Sequence, residues 1–250
     1  MRPVSIGIGV ESDPLRIYTS ITRFSSPETI TCYTYPDIAS QFSFPCPVVC
    51  DQQPGFRMIS DLKEGIIDAA VRGTLASNTT LLALKQACQV AELERIVLLE
   101  TASGKKFFLA PVGVDEGWTV KQKLSLIEKG KKIAVSYGLS ETVGILSGGR
   151  LGDVGRHAVV DQSLADAELL KTLTGGRHYE IRIEDAIKEC GLIIAPDGIS
   201  GNLIFRTILF IGNGASHGAP VVNINKIFVD TSRVNPDYTN ALILASSMAQ

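Results

Sequence analysis

Short apolar runs alternate with longer amphipathic segments along most of the chain. Residues 4–10, Val-Ser-Ile-Gly-Ile-Gly-Val, alternate small and β-branched side chains and predict a buried strand. Residues 31–57 carry Pro, aromatics and Cys without a helical period, which predicts an irregular stretch with one or two short strands. Helical spacing resumes over 58–64 before Gly65, and 66–71 predicts a short strand. Residues 79–91 predict a helix with Asn78 as its N-cap. Two strands are expected at 96–101 and 107–112, and the Ser103-Gly104-Lys105-Lys106 turn between them suits a hairpin. Residues 117–129 predict an amphipathic helix closed by Gly130, whereas 138–146 leaves helix and strand both open. Further along, a helix at 162–174 ends at Gly175-Gly176, and 179–182 alternates like a strand. A short helix at 185–190, a strand at 192–195 and a helix at 202–212 follow, and 236–248 predicts a last helix with Pro236 in its first turn.

Strands alternating with helices predict an α/β fold with a mostly parallel sheet covered on both faces. No internal repeat or low-complexity linker interrupts the pattern, and 250 residues suit one large domain or two modest ones. Hydrophobic residues at 45% and charged residues at 20% are those of a soluble globular chain. A formal net charge of −2 argues against a nucleic-acid surface or an anionic membrane as partner. No apolar run approaches the ~20 residues that span a bilayer, and Met1-Arg2-Pro3-Val4 leads into a strand without the apolar region of a secretory signal. The expected location is cytoplasmic. Five cysteines and three histidines lack zinc-site spacing, so no metal is expected and the cysteines read as reduced thiols. Cys46-x-x-x-Cys50, between prolines, is the one candidate pair of metal ligands.

Four segments carry candidate chemistry. Ile193-Ile194-Ala195-Pro196-Asp197-Gly198-Ile199-Ser200-Gly201-Asn202 reads as a buried strand, a tight turn and a helix start, which presents backbone N–H groups to an anion. Asp197, Gly201 and Asn202 then stand at the carboxyl end of a strand, where ligands of such sheets collect, although Asp197 also suits a helix cap. Asp230-Thr231-Ser232-Arg233 places a carboxylate, a hydroxyl and a guanidinium within four residues. Arg grips phosphate or carboxylate with two parallel N–H bonds, Ser donates to a developing oxyanion, and Asp orients or acts as base. The same cluster would also serve as a turn capping the last helix. The loop Arg72-Gly73-Thr74-Leu75-Ala76-Ser77-Asn78-Thr79 joins a strand to a helix, with small polar residues and one cation. Finally, the 148–156 segment holds four glycines with Arg150, Asp153 and Arg156, which permits close backbone approach to a ligand or simply a flexible connection. Gly7 and Gly9 lack the third glycine of a dinucleotide loop and read better as packed strand residues.

Pro196-Asp197 with Gly201-Asn202, then Asp230-x-Ser232-Arg233, resembles the closing region of the phosphate acetyl/butyryltransferase family. The likeness extends to Asp68-Ala69-Ala70-Val71-Arg72-Gly73-Thr74, Ile145-Leu146-Ser147, Val160-Asp161, Asp166-Ala167-Glu168 and Ile183-Glu184-Asp185-Ala186-Ile187, and it covers roughly 60–245. Gly9-Val10-Glu11 with Arg16 suits the family's first strand and turn. The short length and the 148–156 loop are most similar to a methanogen branch that carries a methyltransferase-subunit label. The resemblance implies a three-layer α/β/α architecture of the isocitrate/isopropylmalate dehydrogenase type, with two lobes around a cleft: 1–110 plus 225–250, and 111–224. It implies Ser232, Arg233 and Asp230 as catalytic residues. Arg72, Gly73, Asn78, Thr79, Arg150, Asp197, Gly201 and Asn202 become substrate-binding candidates. It also implies a small anionic or phosphorylated substrate, a homodimer, and a place in methanogen one-carbon metabolism. Enzyme and non-enzymatic subunit of a methyltransferase complex both remain open, as does the cofactor. No S-adenosylmethionine loop and no corrinoid-binding Asp-x-His-x-x-Gly run is visible. The family's thiol-deprotonating aspartate is not cleanly matched either, Asp237 being the nearest carboxylate.

Overall fold

The computed structural model describes residues 3–26 and 29–250. Met1 and Arg2, part of the stretch read above for a leader, lie outside it. The chain forms two compact units, one of residues 1–93 and 217–250 and the other of 94–216.

The first unit contains β1 (Ile6–Val10), α1 (Pro14–Arg23), β2 (Ile30–Thr34), α2 (Pro36–Gln41), β3 (Val48–Cys50), α3 (Pro54–Glu64), β4 (Ala69–Val71) and α4 (Ser77–Cys88). The second unit contributes β5 (Val97–Glu100), β6 (Lys106–Ala110), α5 (Val120–Ser136), β7 (Val143–Leu146), α6 (Ala158–Thr174), β8 (Arg177–Glu180), α7 (Ile183–Glu189), β9 (Leu192–Ile194), α8 (Gly198–Phe210) and β10 (Ala215–Ser216). The chain then returns to the first unit with β11 (Ala219–Pro220), β12 (Ile227–Asp230) and α9 (Thr239–Met248).

In the first unit the strand order is β11-β12-β4-β1-β2-β3, parallel from β12 to β3 with β11 antiparallel at the edge. One face packs on α3 and α4 through Tyr33, Met58, Leu62, Ile67, Leu84 and Phe228. A Cβ at Gly7 would come within 2.7 Å of Ile67 and 2.9 Å of Tyr33, so this strand is glycine-bearing because those side chains, with Met58 of α3 behind them, close over it. Ile6 and Ile8 alternate to the other face, where α9 and α1 bury Ile17, Ile21, Leu242 and Ala245. Burial of each such large side chain contributes about 1.5–3 kcal/mol.

In the second unit the order is β10-β5-β6-β9-β7-β8, with β6, β9, β7 and β8 parallel and the β5–β6 hairpin antiparallel. α5 and α6 cover one face, α7 and α8 the other. Each unit is thus a helix–sheet–helix sandwich.

Several boundaries depart from the sequence reading. The hairpin joins the second sheet through β6–β9 pairing, and β11 pairs with β12, so the unit boundaries fall at 93/94 and 216/217 rather than at 110 and 224. Residues 36–41 form a short helix, where Pro36 at its start supplies a preset φ. α3 begins at Pro54 for the same reason, ahead of 58. α4 begins at Ser77, which puts Asn78 inside the helix and not at its N-cap. Gly130 does not end α5, which runs on to Ser136. There a Cβ would lie 2.7 Å from Leu192, so the glycine serves helix–sheet contact. α8 starts at Gly198, not at 202, and α9 starts at Thr239, beyond Pro236.

Candidate functional site

In the first sheet the chain runs from β1 outward to β2 and β3, then returns to place β4 on the other side of β1. The carboxyl ends of β1 and β4 are therefore a switch point, where adjoining loops part and leave room for a ligand. Two loops meet there. Thr74 Oγ1 accepts the N–H groups of Glu11 (2.9 Å) and Ser12 (3.2 Å). The Glu11 carboxylate in turn accepts the N–H of Ala76, the N-cap residue of α4, at 2.5 Å. Gly73 adopts φ +61°, and a Cβ there would stand 2.1 Å from the Gly9 carbonyl oxygen, so only glycine lets the loop lie so close to β1.

Arg72 is buried in this loop. Its Nε donates to Asp230 Oδ1, one terminal nitrogen donates to the Thr231 carbonyl, and the other to the Leu75 carbonyl at 2.6 Å. Thr231 Oγ1 donates to the Gly73 carbonyl at 3.0 Å. Arg72, Gly73 and Asp230 are thus brought together as a brace between the loops after β4 and β12. The guanidinium spends its donors on protein acceptors.

The next residues are held by their backbone. Arg16 donates to the carbonyls of Arg233 (3.2 Å) and Asn235 (2.9 Å), and Tyr238 Oη donates to the Ser232 carbonyl (3.0 Å). Ser232 is half-buried, and among the described residues its Oγ accepts only the long Val234 N–H bond at 3.4 Å. Arg233 is exposed, and among the described residues no hydrogen bond or ion pair engages its guanidinium. Asp237 accepts from Arg23 (2.8 Å) and Thr239 N–H (2.6 Å). Burial pushes its carboxyl up, but Thr239 and Arg23 together hold it below the usual range. Asn78 and Thr79 are exposed in the first turn of α4.

The remaining sequence candidates belong to the second unit. Its switch point lies between β7 and β9. Asp197 caps α8, accepting Ser200 N–H at 2.8 Å and its hydroxyl at 3.1 Å. Asn202 donates to the Val112 carbonyl at 3.1 Å. Gly201 admits the Pro111 carbonyl, which would be 1.8 Å from a Cβ. Arg150 is exposed, and its backbone N–H donates to Asp153 at 2.8 Å.

A hydrogen-bonded relay at this edge escaped the sequence reading. Ser147 Oγ is 2.8 Å from His178 Nε2 and 2.8 Å from the Gly149 carbonyl, so its proton is directed to one or the other. His178 Nδ1 is 2.8 Å from Glu168 Oε1. Ser147 and the His178 side chain are buried, which makes the relay a latch on the Gly148-Gly149 turn and not an open nucleophile. Its sequence signal is faint: a serine ending an apolar strand before two glycines.

Among the described residues no group of three or more His, Cys, Asp or Glu side chains could hold a metal ion. No helix there is long and apolar enough to cross a membrane.

No protein-family model matches the chain. It is 48% identical over 207 residues to a protein of Methanosarcina mazei named "Putative methyltransferase mtx subunit X", covering 80% of this chain and 74% of that one. A protein of the same name from Methanosarcina acetivorans is 50% identical over 188 residues, 73% of this chain and 67% of the relative. An uncharacterized methyltransferase of Methanopyrus kandleri is 37% identical over 209 residues, 79% and 81% of the two chains. Among solved structures, a branched-chain phosphotransacylase from Enterococcus faecalis superposes with TM-score 0.74 at 14% identity, covering 99% of both chains. A phosphotransacetylase from Streptococcus pyogenes gives 0.69 at 14% identity over 98% of this chain and 94% of that one. The architecture is therefore the phosphotransacetylase type, and at 48% identity across most of both sequences the chain belongs to the mtx subunit X family.

Proposed function

We propose that the chain is a transferase of methanogen one-carbon metabolism that holds an anionic, phosphate-bearing substrate with Arg233 and Ser232 at the carboxyl edge of the first sheet. The observation that supports this reading is the division of labour between two arginines. Arg72 is buried and satisfied by protein acceptors, whereas Arg233 is exposed on a loop braced by Arg16 and Tyr238, with its own guanidinium unengaged among the described residues. A cation on a fixed backbone binds an anion without the further cost of ordering its loop. Methyl as the group moved rests on the name its relatives carry. Two-fold association belongs to this reading, and light scattering at the 26.8 kDa monomer mass across all concentrations would remove it.

One observation favours a second reading, a ligand-binding subunit that assists a methyltransferase complex. Both carboxylates flanking Ser232-Arg233 already have partners, Asp230 with Arg72 and Asp237 with Arg23 and Thr239, an arrangement suited to holding more than to proton transfer. Incubation with acetyl phosphate and coenzyme A separates the two. Turnover supports the transferase. Calorimetric binding without turnover, with a corrinoid protein co-purifying, supports the subunit. Absence of binding to inorganic phosphate and acetyl phosphate alike ends both.

A further inference from the structure

Cys32 is fully buried in β2, and Cys46 stands half-buried just ahead of β3. Their sulfurs are 3.3 Å apart. The approach is built into the strand pairing: Cys32 N–H donates to the Pro47 carbonyl at 2.9 Å, and Cys32 is in register with Val48. We propose that Cys32 and Cys46 are a redox-active dithiol that closes to an intramolecular disulfide by exchange with a small organic disulfide.

The two sulfurs have different roles. Cys46 is the one solvent reaches, and the hydrogen bond from the Cys32 thiol lowers its pKa although burial opposes this. That same contact, followed by burial, pushes Cys32 up. The Cys46 thiolate attacks one sulfur of the organic disulfide, whose S–S bond breaks and releases one thiolate. Cys32 then gives up its proton to that thiolate or to solvent and attacks the Cys46 sulfur, expelling the second thiolate, which takes up a proton. The dithiol loses two electrons and two protons, and the organic disulfide becomes two thiols. The sulfurs need only close from 3.3 Å to about 2.0 Å. Cys88 and Cys190 are pushed up by burial, which makes them poor attacking groups.

Closure would enclose residues 33–45, including α2. This segment leaves the carboxyl end of β2 and packs Phe42 edge-on against Tyr18 of α1, 6.0 Å between centroids. Thr34, within it at the end of β2, donates its hydroxyl to the Val10 carbonyl at 2.8 Å, and Val10 leads directly into Glu11 of the switch-point loops. The disulfide therefore staples one flank of the candidate site.

The test is to equilibrate the full-length reduced chain with glutathione disulfide, block remaining thiols by alkylation, and map the peptides by mass spectrometry. The expected product lacks two hydrogens and links Cys32 to Cys46, in the wild type and in Cys50→Ser. Cys32→Ser should accumulate glutathione on Cys46, and Cys32→Ala repeats that test should serine perturb the buried site. A link through Cys50, or Cys46 and Cys32 both alkylated after equilibration at excess disulfide, would overturn the proposal.

Discussion

Arg72, at the end of β4, donates to Asp230, at the end of the neighbouring strand β12, across a parallel pair whose Val71 and Val229 are in register. The side chains are 6% and 11% exposed. This ion pair ties two loops that are 158 residues apart in sequence and sets the base from which Ser232 and Arg233 project.

Asp230→Ala leaves the Arg72 cation buried without its counter-charge. The expected loss of stability is about 3–5 kcal/mol, read from urea unfolding. A loss below about 1 kcal/mol, the range of an exposed pair, would show that this contact is no brace.

Arg233→Lys keeps the charge and discards the two-pronged geometry. Phosphate or acyl phosphate binding should weaken by ~1.5–3 kcal/mol, while stability stays within about 0.5 kcal/mol of wild type. Titration calorimetry beside thermal melts checks both. Unchanged affinity with a lowered melting temperature would make Arg233 a structural part of its own loop and not an anion site.

The Glu168 carboxyl is held below its usual range, first by the hydrogen bond with His178 and then by Lys171. A depressed folded pKa stabilises the fold above the unfolded value, near 4.3, and that stability is lost as pH falls through the folded value. Wild type should therefore lose stability faster than Glu168→Gln as the solution is acidified below about pH 4.3. With 39% of this side chain exposed, screening keeps the effect under about 1 kcal/mol. Denaturation midpoints of the two proteins that run parallel through this window would refute the assignment.

Gly73→Ala meets a positive φ and the Gly9 carbonyl together. A destabilisation above about 2 kcal/mol is expected, measured by denaturant unfolding. A neutral result would mean that the loop after β4 relaxes freely away from β1.

Local grammar made much of the fold legible. The β5–β6 hairpin follows from two apolar runs around a polar turn, and the pairing of its two strands joins residues near in sequence. Asp197 was readable as a cap because its partner, Ser200, is three residues away. What escaped depends on distant partners. Gly130 looks like a terminator until Leu192 is seen against it. Arg72 looks like a ligand-binding cation until Asp230 arrives to bury it. The Ser147–His178–Glu168 relay depends on β7 pairing with β8, including the register shift between Ile145 and Leu146. No spacing rule encodes that.

The unit that carries Arg72 is built from both ends of the chain, whereas the other unit is one continuous segment, 94–216. During synthesis from the N-terminus, β4 emerges with its outer edge unpaired and waits for β12 until the whole of the second unit has left the ribosome. The middle of the chain has every strand it needs first. The unit that carries the candidate site is completed last, when Asp230 reaches Arg72, so a nascent chain truncated before residue 227 lacks the strand that completes it.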